Sequence, residues 1–121
     1  MFSWRTSRDG SVWLSSVVLE ELYAGSTARD QHVIERLERD FDRVKRILVS
    51  NLTDWTLAGK VLARLAARYD YESIGRSRIT NDALIAMSAA RVGITILTAN
   101  HRDFERLAEF RPFGWQVWID Q

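Results

Sequence analysis

The stretch from residue 79 to residue 104 constrains the fold more than any other part of the chain. It predicts an apolar helix over residues 81–92, followed by a β-branched strand over residues 94–97. Asp82 stands in the first turn of the helix, and Asp103 follows shortly after the strand. Open α/β sheets build sites from polar groups that lie just past the carboxyl ends of their strands. We therefore expect an acidic site at that edge.

The rest of the chain alternates between short apolar runs and amphipathic helices. We predict strands over residues 12–14, 47–49 and 115–119, and helices over residues 17–24, 29–47, 55–69 and 101–109. This alternation predicts one three-layer α/β/α domain on a mainly parallel sheet, over residues 12–121.

Smaller signals set the boundaries of these elements. Ser15 or Ser16 is expected to cap the first helix, and Thr53 or Asp54 the third. Residues 70–79 are polar and predict a loop, with Thr80 as the cap of the next helix. Gly59 is expected to mark a close packing contact inside a helix. Residues 1–11 are expected to be loop or disordered.

Composition limits the classes of function. The 121 residues include 17 basic and 16 acidic side chains, so contact with nucleic acid must come from a local patch. The chain has no cysteine, which excludes disulfides and thiolate metal sites. No apolar run approaches the roughly 20 residues that span a membrane, and the first residues lack the apolar core of a signal peptide. We expect a soluble, cytoplasmic domain.

The carboxylates admit two interpretations. Taken singly, Asp82 and Asp103 are ordinary residues of a helix start, where the helix dipole favours an anion. Glu21 follows the first apolar strand and can join them at the same edge, whereas Glu20 points about 100° away on its helix. Clustered carboxylates repel unless a cation neutralises them, and oxygen ligands suit Mg²⁺ or Mn²⁺. Metal-activated hydrolysis of a phosphodiester is the chemistry that such a cluster favours.

Three segments, residues 17–25, 81–86 and 97–104, resemble the successive motifs of PIN domains, and the closest kind is the VapC-type toxin of bacterial toxin–antitoxin pairs. The resemblance implies a Mg²⁺- or Mn²⁺-dependent ribonuclease that forms a homodimer and is silenced by a cognate antitoxin. It assigns catalysis and metal binding to Glu21, Asp82 and Asp103, with Thr98 as a polar residue beside them. Among the remaining polar residues, Asn100, Arg76 and Arg78 are candidates for substrate binding.

The resemblance also predicts a missing element. PIN domains normally begin with a strand that ends in an aspartate and lies in the middle of the sheet, and nothing in residues 1–11 matches it. A truncated copy or a misplaced gene start would explain the loss. We expect the gap to be closed by the neighbouring strands or by a partner chain.

Two other functions are compatible with these residues. A catalytically inactive PIN-like interaction module would bind an antitoxin-like partner and keep the acidic edge only as a vestige. A receiver-like domain with an acidic pocket is a less well supported hypothesis, because no lysine lies near the expected end of its last strands.

Overall fold

The fold is an α/β sheet flanked by helices, as the alternation of strands and helices predicts. The computed structural model describes residues 3–6, 12–69, 76–98, 101–111 and 113–117. Within them the sheet has the order β3-β2-β1-β4-β5. The strands are β1 (Ser3–Thr6), β2 (Val12–Ser15), β3 (Ile47–Leu48), β4 (Thr95–Thr98) and β5 (Trp115–Val117). The helices are α1 (Ser16–Ala24), α2 (Gln31–Arg43), α3 (Leu52–Arg68), α4 (Arg76–Val92) and α5 (His101–Ala108).

The turn from β2 into α1 follows the sequence closely. Ser15 is buried, and its side-chain oxygen accepts a hydrogen bond from the N–H of Val17 at 3.0 Å. The N–H of Gly25 donates to the carbonyl of Glu21 at 3.0 Å and ends the helix. The predicted strand, its serine cap and the helix end are all confirmed.

The second helix is shorter than the sequence pattern suggests. It ends at Arg43, because Lys45 adopts a left-handed conformation with φ of 58°. The N–H of Arg46 then donates to the carbonyl of Phe41 at 2.9 Å, and the carbonyl of Arg46 accepts from Leu14 at 2.9 Å. These bonds turn the chain into β3, which confirms the short strand and makes the predicted helical extension to residue 47 wrong.

The start of α3 is fixed by a reciprocal cap. Asn51, rather than Thr53 or Asp54, is the cap residue, and its side chain accepts from the N–H of Asp54 at 2.9 Å. The Asp54 carboxylate accepts from the N–H of Asn51 at 3.0 Å, so two donors at the helix start are satisfied at once. Further along, an added Cβ at Gly59 would meet nothing within 4 Å, so the predicted close contact there is wrong.

The fourth helix begins earlier than its cap signal indicates. It starts at Arg76, so Thr80 lies inside the helix and residues 76–79 are not loop. The reason is tertiary: Ile79 is fully buried together with Ala83 one turn later, which extends the apolar face backwards. The helix ends at Gly93, whose φ of 72° suits glycine and confirms the predicted stop.

The largest departure from prediction is β1. Residues Ser3–Thr6 form a strand between β2 and β4, antiparallel to both, with Ser3 opposite Thr98 and Thr6 opposite both Val12 and Thr95. The prediction of a loop is therefore wrong for these four residues, and the sheet includes them. The middle position is filled by the chain's own N-terminal segment rather than by direct pairing of the neighbouring strands or by a partner.

Candidate acidic site and adjoining surfaces

The strand directions define one polar edge of the sheet. Because β2 and β4 are both antiparallel to β1, they run parallel to each other, and each pairs in parallel with its outer neighbour, β3 and β5. The carboxyl ends of these four strands therefore share one edge. Strand β1 presents its amino end, Ser3, at that edge, opposite Thr98. We call it the carboxyl edge.

Asp82 reaches this edge on α4. Only two residues separate α4 from β4, so the helix runs back alongside the strand, and the two elements are in contact. At a helical rise of 1.5 Å per residue, Asp82 lies about 15 Å from the end of α4 at Val92. Four strand residues cover roughly 10 Å from Thr95 to Thr98. Asp82 is thus carried to the level at which β4 ends, and it is 8% exposed.

Asp103 reaches the same edge from the other direction. It lies in the first turn of α5, which begins three residues after Thr98, and it is 3% exposed. Its neighbour Phe104 is fully buried and packs edge-to-face on Phe113, with ring centroids 6.1 Å apart. Since α5 also packs on α4, the two buried aspartates lie on helices that contact each other beside β4.

The other predicted site residues lie on α1, at the end of β4 and in the first turn of α4. Glu21 lies on α1 after β2 and is exposed, as is Glu20. Thr98 is the last residue of β4, and Arg76 and Arg78 lie in the first turn of α4 rather than in a loop. Their side chains lie outside the described part of the structure, as does the whole of Asn100.

No third carboxylate joins the two aspartates in the portion of the chain that the structure describes. Within residues 3–6, 12–69, 76–98, 101–111 and 113–117, no three His, Asp or Glu side chains are grouped so as to hold a metal ion. The composition and the direction of β1 both contribute to the absence of a third carboxylate in the described site. Its sequence, Ser-Trp-Arg-Thr, carries no carboxylate, and its carboxyl end lies at the opposite edge beside Val12 and Thr95.

A third buried aspartate has a structural role that the sequence did not reveal. Asp54 is fully buried, and both of its carboxylate oxygens accept from Nε of Arg91, at 3.1 and 3.0 Å. The same guanidinium donates to the carbonyl of Val49 at 2.9 Å. This pair ties the start of α3 to the end of α4, which are far apart in sequence.

Two concave surfaces flank α1. A mixed polar and apolar cleft of about 440 Å³ lies at the carboxyl edge, where α1, α3 and α4 meet. It is lined by Ser16, Val17, Glu20, Ser50, Trp55, Asn81 and Leu84. An apolar groove of about 460 Å³ lies between β2, α1 and α2 and includes Trp13, Leu22, Val33, Leu37 and Phe41. Sequence reasoning identified neither surface, because each is assembled from distant segments.

The fold is that of an α/β protein with one buried aspartate on the helix before its fourth strand and another on the helix after it. A family model of the PIN domain matches residues 3–110, and the chain belongs to that family. No match was found among curated proteins or among solved structures. Members of the PIN family generally act on nucleic acids as nucleases and generally use divalent metal ions. Among the described helices, none has the length and apolar character to cross a membrane.

Proposed function

We propose that this chain is an endoribonuclease of the VapC toxin kind, which hydrolyses RNA phosphodiester bonds with the help of Mg²⁺ or Mn²⁺. The observation that supports this most directly is the burial of Asp82 and Asp103, both more than nine-tenths buried, on α4 and α5, the two helices that precede and follow β4. Carboxylates are seldom so deeply buried without a cation, a hydrogen bond or a metal to compensate the lost hydration.

The donor set fits a hard divalent cation. Mg²⁺ is commonly held by one or two protein carboxylates and completes its coordination with water and substrate phosphates. Asp82 and Asp103 would supply those oxygens, and Glu21 is the proposed third acid. The bound ion would polarise the phosphodiester and lower the pKa of a bound water.

The chain's own residues would fix the substrate around this ion. Asp82 lies on the buried face of α4, and Asp103 adjoins the fully buried Phe104, so the packed surroundings of both carboxylates would limit their reorganisation when RNA binds. Arg76 and Arg78, in the first turn of α4, are proposed to contact RNA phosphates. Thr98 and Asn100 are proposed to hydrogen-bond at the same edge, and a homodimer is part of the proposal.

The test is RNA cleavage by the purified protein with added Mn²⁺ or Mg²⁺. Asp82→Asn and Asp103→Asn should each lower the rate at least about 100-fold, because each removes an ionised oxygen donor while keeping the shape of the side chain. Asp42→Asn is the matched control, since Asp42 is exposed on α2, and it should leave the rate unchanged. Cleavage that persists in EDTA, or that is insensitive to both aspartate changes, would overturn the assignment.

The apolar groove supports the proposed antitoxin partner. Val33 at its rim is 68% exposed, and the indole Nε1 of Trp13 is buried without a hydrogen-bond acceptor in the described structure. An amphipathic helix would cover such a groove with apolar side chains. Arg36 and Asp40 also line the groove, so charged residues of the partner would find counterparts.

This partner is tested by co-expression with the product of the adjacent reading frame. Val33→Glu should weaken the complex and restore RNA cleavage, because it places a charge in an apolar contact. Val44→Glu is the matched control, since Val44 is a similarly exposed valine, 56% exposed, beyond the end of α2. Equal effects of both changes would argue against the groove as the docking surface.

A second function is favoured by the composition of the central strand. Because Ser3–Thr6 brings no carboxylate to the carboxyl edge, the alternative function is that of an inactive PIN-like module that binds its partner through the apolar groove. Calorimetric titration with Mn²⁺ separates the two functions. Saturable binding that Asp82→Asn removes supports the nuclease, and no binding supports the module.

A further inference from the structure

The cleft at the carboxyl edge combines an exposed aromatic ring with several hydrogen-bonding groups. Trp55, in the first turn of α3, is 57% exposed, although its large ring would be expected to pack inside the protein. It shares the cleft with Glu20 of α1 and Asn81 of α4. Three separate segments therefore bring an indole, a carboxylate and an amide to one concave surface.

Two polar side chains of this cleft take no part in holding the fold together. Among the described residues, the side chains of Glu20 and Asn81 form no hydrogen bond or ion pair. Ser88 donates its hydroxyl hydrogen to the carbonyl of Leu84 at 2.8 Å, so Ser50 is the donor in the 2.8 Å contact with Ser88. The remaining lone pairs of the Ser50 oxygen are left to accept from a ligand.

We infer that this cleft binds an unpaired nucleobase of the RNA, which stacks on Trp55 and is read along its edge by Glu20 and Asn81. Single-stranded RNA is recognised in this way, by an aromatic platform together with side chains that reach the base edges. The carboxylate of Glu20 disfavours a phosphate in the same space and accepts from exocyclic amino groups. The cleft should therefore prefer cytosine to uracil, since only cytosine carries an amino group.

The position of the cleft links it to the proposed reaction. Ser16 directly follows β2, Ser50 follows β3, and Asn81 adjoins Asp82 on α4, so the cleft opens at the same edge as the acidic site. A base held there would belong to a nucleotide near the scissile phosphate. The inference rests on the proposed ribonuclease function for this role, although base binding itself requires neither metal nor cleavage.

Binding is measured first without catalysis. Fluorescence anisotropy of short, labelled oligocytidylate and oligouridylate of equal length, in EDTA, gives the affinity of the full chain for each. Trp55→Ala should weaken oligocytidylate binding about 5- to 150-fold, the range expected for one base–aromatic stack. Trp55→Phe should recover most of this loss, because the phenyl ring also stacks. Glu20→Gln should reduce the preference for oligocytidylate over oligouridylate.

Leu52→Ala is the matched control, since Leu52 lies one turn before Trp55 on the same helix and is 78% exposed. It should bind like the wild type, which would separate stacking from a general apolar effect. The inference is overturned if Trp55→Ala binds like the wild type, if Leu52→Ala loses as much affinity, or if duplex RNA binds as tightly as single strands. Absence of any RNA binding by the wild type would overturn it as well.

Cleavage is measured separately, so that failure of the two ideas can be told apart. If the protein cleaves RNA in an Asp82-dependent way but Trp55→Ala changes neither affinity nor the cleaved sequence, the nucleobase site fails and the nuclease stands. If the protein cleaves no RNA with either added metal ion, while Trp55→Ala still weakens oligonucleotide binding, the nuclease proposal fails and the nucleobase site stands.

Discussion

The molecule has two sides, one on each flank of β1, and they bury their apolar side chains to different degrees. On the aspartate side, formed by α3, α4, β4 and α5, the centre of the core is fully buried, with Leu65, Ile79 and Phe104 at 0% exposure, and the exposed apolar side chains lie at helix ends, as Leu52 and Trp55 do at the start of α3. On the groove side, formed by β2, α1 and α2, Ile34 is the buried residue of α2, while its neighbour Val33 is largely exposed. The aspartate side thus has a closed core, whereas the groove side leaves an apolar groove open to solvent.

This difference suits two different tasks. Carboxylates that are to hold a cation need a rigid frame, because any reorganisation on binding reduces the electrostatic gain. A docking groove needs apolar surface that is exposed in the free protein, because burying that surface favours association with a partner. The complete side therefore carries the proposed chemistry, and the incomplete side carries the proposed partner.

A matched pair of phenylalanines tests the contrast most strongly. Phe104→Ala should lower the free energy of unfolding by about 3–5 kcal/mol, the usual cost of emptying a fully buried aromatic site. Phe41→Ala should cost clearly less, because Phe41 is only partly buried and lines the open groove. Urea denaturation of the two variants measures both values. Equal losses would mean that the groove side is packed as completely as the aspartate side.

The ion pair between Asp54 and Arg91 tests how the aspartate side is held together. Arg91→Leu should lower the free energy of unfolding by about 1.5–3 kcal/mol, because it leaves the fully buried Asp54 carboxylate without its charged donor. The double variant Asp54→Asn, Arg91→Leu should lose less than Arg91→Leu alone, since the unpaired charge is then absent. Thermal denaturation followed by circular dichroism provides the comparison. A double variant as unstable as the single one would show that the charge is not the cause.

On the groove side, a hydrogen bond between α1 and α2 depends on pH. The hydroxyl of Tyr23 donates to Glu38 at 2.7 Å, and this hydrogen bond to the carboxylate raises the pKa of Tyr23 to about 12. Because the folded pKa lies above the ordinary value of 10.0, the stabilising contribution is present below pH 10 and is lost as the pH rises towards 12. The tyrosinate absorbance of the wild type, minus that of Tyr23→Phe, should show the titration of Tyr23. Glu38→Gln should lower the pKa of Tyr23, because it removes the charged acceptor. A Tyr23 that titrates near 10 in the wild type would contradict the bond.

Much of the local structure could be predicted because its signals lie within a few residues. The cap at Ser15, the stop at Gly93 and the β-branched run in β4 each depend on neighbours in the chain. Strand β1 has no such local signal, because most of its four residues are polar, and it forms through its pairing with β2 and β4.

The sequence by itself determined the α/β class, the two aspartates beside β4 and, through three ordered motifs, the family that the match over residues 3–110 confirms. The tertiary structure alone decided how α4 begins, what Asp54 pairs with and which surfaces stay open. It also decided the direction of β1, which leaves Ser3 at the carboxyl edge. The physical reason is that helix and strand periodicity are local properties, whereas burial, ion pairing and strand direction depend on contacts between residues far apart in the chain.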